Sequence, residues 1–233
     1  MVAQPKLTFY TSVVCPYAQR AAIALNEVGA EYEKVEIDLQ NKPAWYKDVN
    51  PETKVPALTV DDYNIAESLV LVELVNDLFP EKKLLPDNAL KRAQIRFFVE
   101  YWSSKISPQQ WKIIGNLEDK EGRQTAYNDI NAALVRINEL LLEQSQEGPY
   151  FLGKEYSIAD VNVAPFAYRL KVLVSHFFKD EIELIDFAKY PRVKEFLAGI
   201  TERDSFKATI ASEEYLAQAY EKARERFAAA AKK

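Results

Sequence analysis

The hydrophobic and polar positions of the first forty residues change between strand and helix periodicities. Residues 6–11 combine threonine with aromatic side chains, and residues 31–38 alternate charged with apolar or aromatic ones, so both segments favour a strand. Between them, apolar residues recur three and four positions apart from Ala18 to Val28, and Gly29 is placed to end the predicted helix. The chain is therefore predicted to open with β-α-β.

The next forty residues add two strands and a helix to this start. Residues 54–60 and 63–65 are strand-like, and the two aspartates between them favour the turn of a β-hairpin. From 67 to 79 apolar residues lie on more than one side of a predicted helix, which ends at a proline. With a short segment at 43–49, the predicted order over the first eighty residues is β-α-β-α-β-β-α.

A change of composition after these elements marks a domain boundary. Residues 80–88 contain two prolines and several charges without periodicity, which is typical of a linker. We expect an α/β domain at 1–80, the linker at 81–88 and an all-helical domain at 89–233. The helices of that last domain are predicted at residues 89–118, 122–146, 157–177, 191–202 and 212–231.

One of these helices has an additional start signal. Ser157 and Asp160 have the spacing of a capping box, with aspartate in place of the usual glutamate or glutamine. Tyr156 and Val161 stand where the two residues of a hydrophobic staple would pack. The pattern predicts a long, buried helix that starts at Ser157.

Composition narrows the class of protein. A chain of 233 residues with 48% hydrophobic and 28% charged residues can form a soluble globule of one large or two modest domains. No apolar run has the length of a membrane span, and the first fifteen residues lack the order of a signal peptide. A formal net charge of -5 speaks against a phosphate-backbone partner. We therefore expect a cytoplasmic protein with neither a membrane nor a nucleic-acid partner.

Residue counts exclude several kinds of site. One cysteine and one histidine can form neither an internal disulfide nor a zinc cluster, so no metal site is expected. The six glycines do not form a Gly-x-Gly-x-x-Gly or phosphate loop, which excludes nucleotide sites of those types. His176 has no visible catalytic partners, and we assign it a structural role. The remaining candidate for chemistry is Cys15.

Cys15 directly precedes the first predicted helix. If Cys15 caps that helix, its sulfur faces free N–H groups and the positive end of the helix dipole, and both favour the thiolate. The alternative is an inert core residue, the commoner fate of a lone cysteine. The run Cys15-Pro16-Tyr17-Ala18 resembles a thioredoxin-like redox motif in which Ala18 replaces the second cysteine. Such a monothiol needs a second thiol from solution, and glutathione is the obvious cytosolic supplier.

A longer set of motifs resembles the glutathione transferases of the omega class, over nearly the whole chain. The set consists of Cys15-Pro16-Tyr17-Ala18-Gln19-Arg20, Asn41-Lys42-Pro43-Ala44-Trp45, Lys54-Val55-Pro56 and Glu67-Ser68. Each motif by itself has weak or moderate specificity for this class. Their order and spacing make the whole set specific. The lambda class and the dehydroascorbate reductases share much of it. The resemblance implies a thioredoxin-like domain followed by the all-helical domain of glutathione transferases.

The resemblance also implies a glutathione site. Its residues would be Tyr17, Lys42, Val55, Pro56, Glu67 and Ser68. A cis bond before Pro56 would turn the Val55 backbone toward the cysteinyl unit of glutathione. Ser68 and the free N–H groups at the helix start would receive the γ-glutamyl carboxylate, Glu67 its ammonium, and Lys42 the glycyl carboxylate. Taken singly, these residues are equally well explained as an ordinary helix start and a solvated lysine.

A cysteine at this place implies a particular chemistry. Transferases with tyrosine or serine there conjugate glutathione to electrophiles, whereas a cysteine forms a mixed disulfide with glutathione that a second glutathione resolves. We expect thiol transfer, dehydroascorbate reduction and deglutathionylation, with Cys15 as the nucleophile and weak conjugation of aryl halides. Glutathione would be a co-substrate, and no tightly bound cofactor is expected.

The second substrate is expected between Cys15 and the helical domain. Besides Tyr17, the candidates are Trp111, Phe166, Tyr168, Arg169 and Tyr215. Aromatic residues on helices more often belong to the core. Arg169 resembles an arginine that lines the omega-class substrate site, and its alternative role is an ion pair on the helix surface.

Two other functions compete with catalysis. An aromatic-lined cleft would also suit a non-catalytic carrier of phenolic or other apolar aromatic molecules. An intracellular chloride-channel-like protein also has Cys-Pro before its first helix. Four residues interrupt the apolar span that insertion requires: Asn26, Glu27, Glu31 and Glu33. The resemblance further implies a homodimer, paired through the third helix and the following one.

Overall fold

The computed structural model describes residues 4–115, 117, 119–178 and 185–230. The chain divides into two compact units. The first unit contains the residues up to Leu85 together with Arg203–Ile210, and the second contains Pro86–Glu202 and the residues from Ala211 onward.

The first unit has the thioredoxin-like arrangement that the sequence predicts. Its elements are β1 (Leu7–Thr11), α1 (Pro16–Val28), β2 (Glu33–Glu36), α2 (Tyr46–Val49), β3 (Ala57–Val60), β4 (Tyr63–Ala66) and α3 (Ser68–Leu78), followed by a 3-10 turn (Pro80–Lys82). The four strands form one mixed sheet in the order β2-β1-β3-β4. β1 is parallel to β2 and antiparallel to β3, and β3 and β4 form the predicted hairpin.

Local sequence explains the limits of α1. Pro16 occupies the first helical position, where the missing N–H costs nothing. Gly29 ends the helix in the left-handed conformation with a φ of 66°, and its N–H donates to the Asn26 carbonyl. Small side chains such as Ala18 and Ala24 are fully buried, and Ala18 packs in a cluster with Ile37, Tyr46 and Val55. Residues 12–15 join the end of β1 to the start of α1.

The second unit is helical. It contains α4 (Ala89–Lys105), α5 (Ser107–Gly115), α6 (Lys120–Gln144), α7 (Ile158–Phe177) and α8 (Pro191–Glu202), and after the short α9 (Asp204–Lys207), which belongs to the first unit, α10 (Glu213–Ala230). Apart from two isolated bridges between residues 150 and 155, the described residues of this unit contain no strand. In the part of the chain that the structure describes, no helix combines the length and apolar character needed to cross a membrane.

The predicted helix at 89–118 is divided in the structure. A turn at Ile106 separates α4 from α5, because Pro108 has no N–H to continue the hydrogen-bond ladder from the preceding turn. Residues 116 and 118 lie outside the described residues. α6 begins at Lys120 rather than at 122, since the Asp119 carboxylate caps it and accepts hydrogen bonds from the N–H groups of residues 121 and 122.

The capping box at α7 is confirmed. The Ser157 hydroxyl accepts from the Ala159 N–H at 3.3 Å, and the Asp160 carboxylate accepts from the Ser157 N–H at 2.7 Å. The carboxylate also accepts from the Ser157 hydroxyl at 2.9 Å and from the Phe151 N–H at 2.8 Å. Asp160 thus joins the helix start to the loop that precedes it.

The segment Arg203–Ile210 packs within the first unit, although the sequence alone assigns it to the 89–233 domain. The Arg203 guanidinium donates to both carboxylate oxygens of Glu27 on α1, each at 2.8 Å. The Gln19 amide donates to the Thr209 hydroxyl at 3.4 Å, and Phe206 is buried. The chain therefore returns to the first unit before it forms α10.

Candidate active site

A cleft of about 400 Å³ opens in the first unit. It is lined by Cys15, Tyr17, Leu39, Lys42, Asn50, Lys54, Val55, Pro56, Glu67 and Ser68. The structure thus brings together Cys15 and all six residues that the sequence assigned to glutathione. These residues come from four separate parts of the chain: the start of α1, the segment before α2, the entry to β3 and the start of α3.

Cys15 is the residue that caps α1, as the sequence predicts, but its sulfur is placed differently. The side chain is half-buried and makes no capping hydrogen bond with the helix N–H groups. The sulfur lies instead 3.7 Å from the Val55 carbonyl oxygen, a contact in which the thiol is the donor.

This placement changes which interactions can favour the thiolate. A carbonyl oxygen repels a thiolate, so the contact with Val55 favours the protonated sulfur. The positive end of the α1 dipole still acts on the site, but the expected capping hydrogen bond does not contribute. Ionisation of Cys15 therefore depends more on a nearby positive side chain than the sequence indicates.

The peptide bond between Val55 and Pro56 is cis, as the resemblance implied. Two buried side chains hold the backbone of Lys54, the residue before Val55. The Tyr46 hydroxyl and the Asn50 amide both donate to the Lys54 carbonyl, at 2.7 and 2.8 Å. Burial raises the pKa of Tyr46 to about 12, and Tyr10 and Cys15 add to that effect. Tyr46 is therefore a neutral hydrogen-bond donor at physiological pH, and it fixes the backbone that faces Cys15.

The start of α3 supplies a hydroxyl and a carboxylate to the cleft. Ser68 is buried, and its hydroxyl oxygen accepts a hydrogen bond from the Arg20 guanidinium at 3.3 Å. Glu67 is exposed and has a φ of 72°, a conformation that residues other than glycine rarely adopt. Such strained residues concentrate at functional sites.

Two lysines place positive charge at the rim of the cleft. Lys42 and Lys54 are both exposed. The Lys54 ammonium lies 2.6 Å from the Glu52 carboxylate, and that hydrogen bond raises the pKa of Lys54. Because both lysines are in contact with water, each interaction with an anion in the cleft is partly screened.

Arg20 lies beneath the cleft and is a residue whose role sequence reasoning missed. Its side chain is buried, and its guanidinium carbon lies 5.5 Å from the centre of the Tyr17 ring. Burial lowers the pKa of Arg20 to about 10, while the negative forms of Tyr17 and Cys15 oppose that shift. The available signal was a charged residue inside the Cys15-Pro16-Tyr17-Ala18-Gln19-Arg20 motif, directly before the small and apolar run of residues 21–25.

The five residues assigned to a second substrate all lie in the second unit. Phe166 and Arg169 are buried there, and the Arg169 guanidinium donates to the Pro165 carbonyl at 3.1 Å. Trp111 and Tyr215 are exposed. Tyr168 is half-buried and donates to the Glu213 carboxylate at 3.1 Å, and its pKa is raised by burial and by that carboxylate. The assignment of these five residues stays a prediction.

Family models agree with the division into an α/β and a helical part. Residues 9–83 match the N-terminal domain of glutathione S-transferases, and residues 93–209 match the C-terminal domain of the same family. The second match covers half of the chain.

Three similar proteins, two from a plant and one from a fungus, show the extent of the similarity. The chain is 36% identical to glutathione S-transferase L2 of Arabidopsis thaliana over 71% of its own length and 54% of that protein, so it spans about half of this relative. It is 24% identical to glutathione S-transferase DHAR3 of the same plant over 86% of the chain and 70% of that protein. The structure of glutathione transferase Omega 1C from Trametes versicolor superposes with a TM-score of 0.77 and 35% identity, covering 96% of this chain and 97% of that one.

Proposed function

The chain belongs to the glutathione S-transferase family, and from this premise we propose that it is a glutathione-dependent thiol transferase and reductase in which Cys15 is the nucleophile. The proposed reactions are thiol transfer, removal of glutathione from S-glutathionylated compounds and reduction of dehydroascorbate. Glutathione is the co-substrate, and the chemistry needs no tightly bound cofactor.

The observation that carries this proposal is the position of Cys15, the one cysteine of the chain, in the cleft that also contains Ser68, Glu67 and Lys42. Glutathione has two carboxylates, an ammonium and a thiol. The cleft offers a partner for each of these groups around the Cys15 sulfur. The partners are a hydroxyl beside free helix N–H groups, a carboxylate, a backbone edge and a lysine. Cys15 is half-buried and lines the cleft, where a disulfide can reach it.

Within this site each residue has a proposed task. Ser68 and the first N–H groups of α3 bind the γ-glutamyl carboxylate, and Glu67 binds the ammonium beside it. The Val55 backbone pairs with the cysteinyl unit, as one strand pairs with another. Lys42 binds the glycyl carboxylate at the rim, and Tyr17 lines the cleft next to the sulfur.

Thiol transfer then proceeds in two exchanges. The Cys15 thiolate attacks the glutathione sulfur of a mixed disulfide R–S–S–G, and a new S–S bond forms between them. The original S–S bond breaks, and R–S⁻ leaves and takes a proton from water. A second glutathione, as its thiolate, attacks the same sulfur in the Cys15–S–S–G intermediate, which releases oxidised glutathione and restores the Cys15 thiolate. With dehydroascorbate, two glutathiones supply two electrons and two protons, and the products are ascorbate and oxidised glutathione.

Mass spectrometry after incubation with oxidised glutathione tests this chemistry directly. We expect one adduct of glutathione mass on the peptide that contains Cys15, together with one released glutathione per chain, and removal of the adduct by reduced glutathione. A matched sample of Cys15→Ser controls for non-covalent retention. If the wild-type peptide stays unmodified at neutral pH, the proposed mechanism is wrong.

A cavity in the second unit favours a second candidate function, the carriage of apolar aromatic molecules. It measures about 1040 Å³, and the described residues that line it include Leu134, Leu170, Val174, Ile185 and Leu197. Apolar lining of this extent is typical of small-molecule sites.

Displacement of a fluorescent apolar dye separates carriage from catalysis. For carriage in this cavity we expect dye binding that does not change with glutathione or with Cys15→Ser. Ala198→Trp, which places an indole at the cavity lining, should weaken dye binding, whereas Ala229→Trp on the exposed end of α10 should not. Dye binding that glutathione abolishes would argue against this second candidate.

A further inference from the structure

Arg20 is a charged residue in a buried position, and its contacts converge on the candidate active site. It is the fifth residue of α1, and the side chain is 3% exposed. The guanidinium donates to the Ser68 hydroxyl oxygen on α3 and lies against the Tyr17 ring. A buried cation is costly unless neighbouring groups interact with its charge, and both of these neighbours line the cleft that contains Cys15.

The hydrogen bond to Ser68 has a direct chemical consequence. A hydroxyl has one proton to donate and two lone pairs to accept, whereas a guanidinium can only donate. Arg20 therefore occupies a lone pair of the Ser68 oxygen, and the hydroxyl proton is left for an acceptor. In the cleft, the complementary acceptor is a carboxylate of the ligand.

The charge of Arg20 acts on the sulfur as well. Arg20 contacts Tyr17 and Ser68, which line the same cleft as Cys15, so its charge lies near the sulfur. A nearby positive charge favours a thiolate, and in agreement the negative form of Cys15 raises the pKa of Arg20. Burial lowers the pKa of Arg20 only to about 10, so the guanidinium remains charged at neutral pH. A charge in this buried position is screened by water much less than one on the surface.

The other groups around the sulfur are less suited to this task. Tyr46 faces Cys15 from α2, and with a pKa of about 12 it is neutral when the thiol titrates. Tyr10 on β1 and Tyr17 on α1 are phenols, which bring no positive charge. The charged residues that line the cleft, which are Lys42, Lys54 and Glu67, are exposed and surrounded by water.

The geometry points to Arg20 as the positioning residue of this site: its buried charge favours the Cys15 thiolate, and its hydrogen bond aims the Ser68 hydroxyl at the γ-glutamyl carboxylate. Thiol activation and anchoring of the ligand then depend on one side chain. The second of these roles rests on the proposed function, and the first concerns the sulfur itself.

The first test measures how fast iodoacetamide alkylates Cys15 across a range of pH, without glutathione. The thiolate displaces iodide, and because the chain has one cysteine, the rate reports this sulfur. For Arg20→Met we expect the midpoint of the profile to rise and the rate at neutral pH to fall roughly three- to tenfold. Arg20→Lys, which keeps the charge, should stay close to wild type. A profile of Arg20→Met that coincides with wild type would overturn the proposed effect on the sulfur.

The second test measures the KM for glutathione in thiol transfer. Ser68→Ala should raise the KM roughly tenfold, since a hydrogen bond to a charged group is lost. Arg20→Lys should raise the KM as well, because its ammonium lacks the planar donor geometry that now reaches Ser68. In the Ser68→Ala background, Arg20→Lys should have little further effect. Additive effects of the two substitutions would contradict the coupling.

Controls separate this proposal from folding and from the proposed function. Arg203→Met removes another guanidinium of the same unit, one that pairs with Glu27, and should leave the alkylation profile unchanged. If Arg20→Met does not fold, Arg20→Gln replaces it in the alkylation test. The combination of Arg20→Lys with Ser68→Ala still tests the coupling between these two residues. If wild type forms no glutathione adduct, the proposed function fails while the alkylation comparison still measures Arg20. If the adduct forms and the profiles coincide, only the role of Arg20 fails.

Discussion

Cys15→Ser is expected to lower kcat/KM for thiol transfer and for dehydroascorbate reduction by roughly three orders of magnitude or more, the scale on which loss of a nucleophile acts. A serine hydroxyl is un-ionised at neutral pH and cannot form a disulfide, so both exchanges of the proposed cycle are lost. The measurement is the rate at which oxidised glutathione appears with a small S-glutathionylated compound or with dehydroascorbate. Ser104→Ala, which changes an exposed hydroxyl on α4, should retain the wild-type rate.

The same variant has a second expected outcome that distinguishes cysteine chemistry from simple loss of the site. A serine hydroxyl can donate a hydrogen bond to a bound glutathione thiolate, as in the transferases that conjugate glutathione to electrophiles. We therefore expect Cys15→Ser to gain conjugation of aryl halides, whereas Cys15→Ala, which has no donor, should not. Wild-type rates of thiol transfer in either variant would show that Cys15 is not the nucleophile.

The residues that the structure brings into one cleft are those that short local motifs define. Cys15 before Pro16, the Val55-Pro56 pair and Ser68 at a helix start are each defined by their immediate neighbours and by the ends of strands and helices. Once the β-α-β-α-β-β-α order is known, sheet topology brings these ends together, and the structure shows them in one cleft.

The orientation of side chains within the cleft depends on distant residues, which no local pattern records. The sulfur of Cys15 turns to the carbonyl of Val55 rather than to its own helix, and the two residues are 40 positions apart. Arg20 on α1 meets Ser68 on α3 across 48 positions. Neither pairing has a periodic signal, so the sequence predicts which residues share the cleft but not their contacts.

Long-range packing also explains the difference at the domain boundary. Residues 203–210 come directly after the predicted helix at 191–202. Their composition does not indicate a change of domain. The ion pair of Arg203 with Glu27 and the burial of Phe206 instead hold this segment in the first unit. Arg203 and Glu27 are 176 positions apart in the chain, so only the folded chain reveals that they pair.

Asp160→Ala is expected to produce the largest loss of stability, on the order of 3–5 kcal/mol in the free energy of unfolding of the second unit. Asp160 is fully buried and accepts hydrogen bonds from the N–H groups of Phe151 and Ser157 and from the Ser157 hydroxyl. Alanine leaves these buried donors without their acceptor, and each unsatisfied group costs about 1–3 kcal/mol. Denaturation by urea, followed by helical circular dichroism, measures the loss.

Asp119→Ala is the matched control for this prediction. Asp119 also caps a helix, α6, with hydrogen bonds to two backbone N–H groups, but it is exposed. Loss of an exposed cap costs about 1 kcal/mol, because water then satisfies the freed N–H groups. An equal effect of the two substitutions would show that Asp160 acts only as a cap and not as a buried link between the helix and the preceding loop.

The pH dependence of stability gives an independent check on Asp160. Burial raises its pKa from 3.8 to about 7, against the hydrogen bonds from Ser157 and Phe151, which lower it. With a raised pKa the folded state holds this proton more tightly than the unfolded state, so the contribution of Asp160 to stability is fully present below about pH 4 and declines as pH rises to about 7. Asp160→Asn cannot titrate, and its free energy of unfolding should lack this decline. If wild type and Asp160→Asn change in parallel from pH 4 to 7, the hydrogen bonds outweigh burial and the carboxylate is ionised throughout that range.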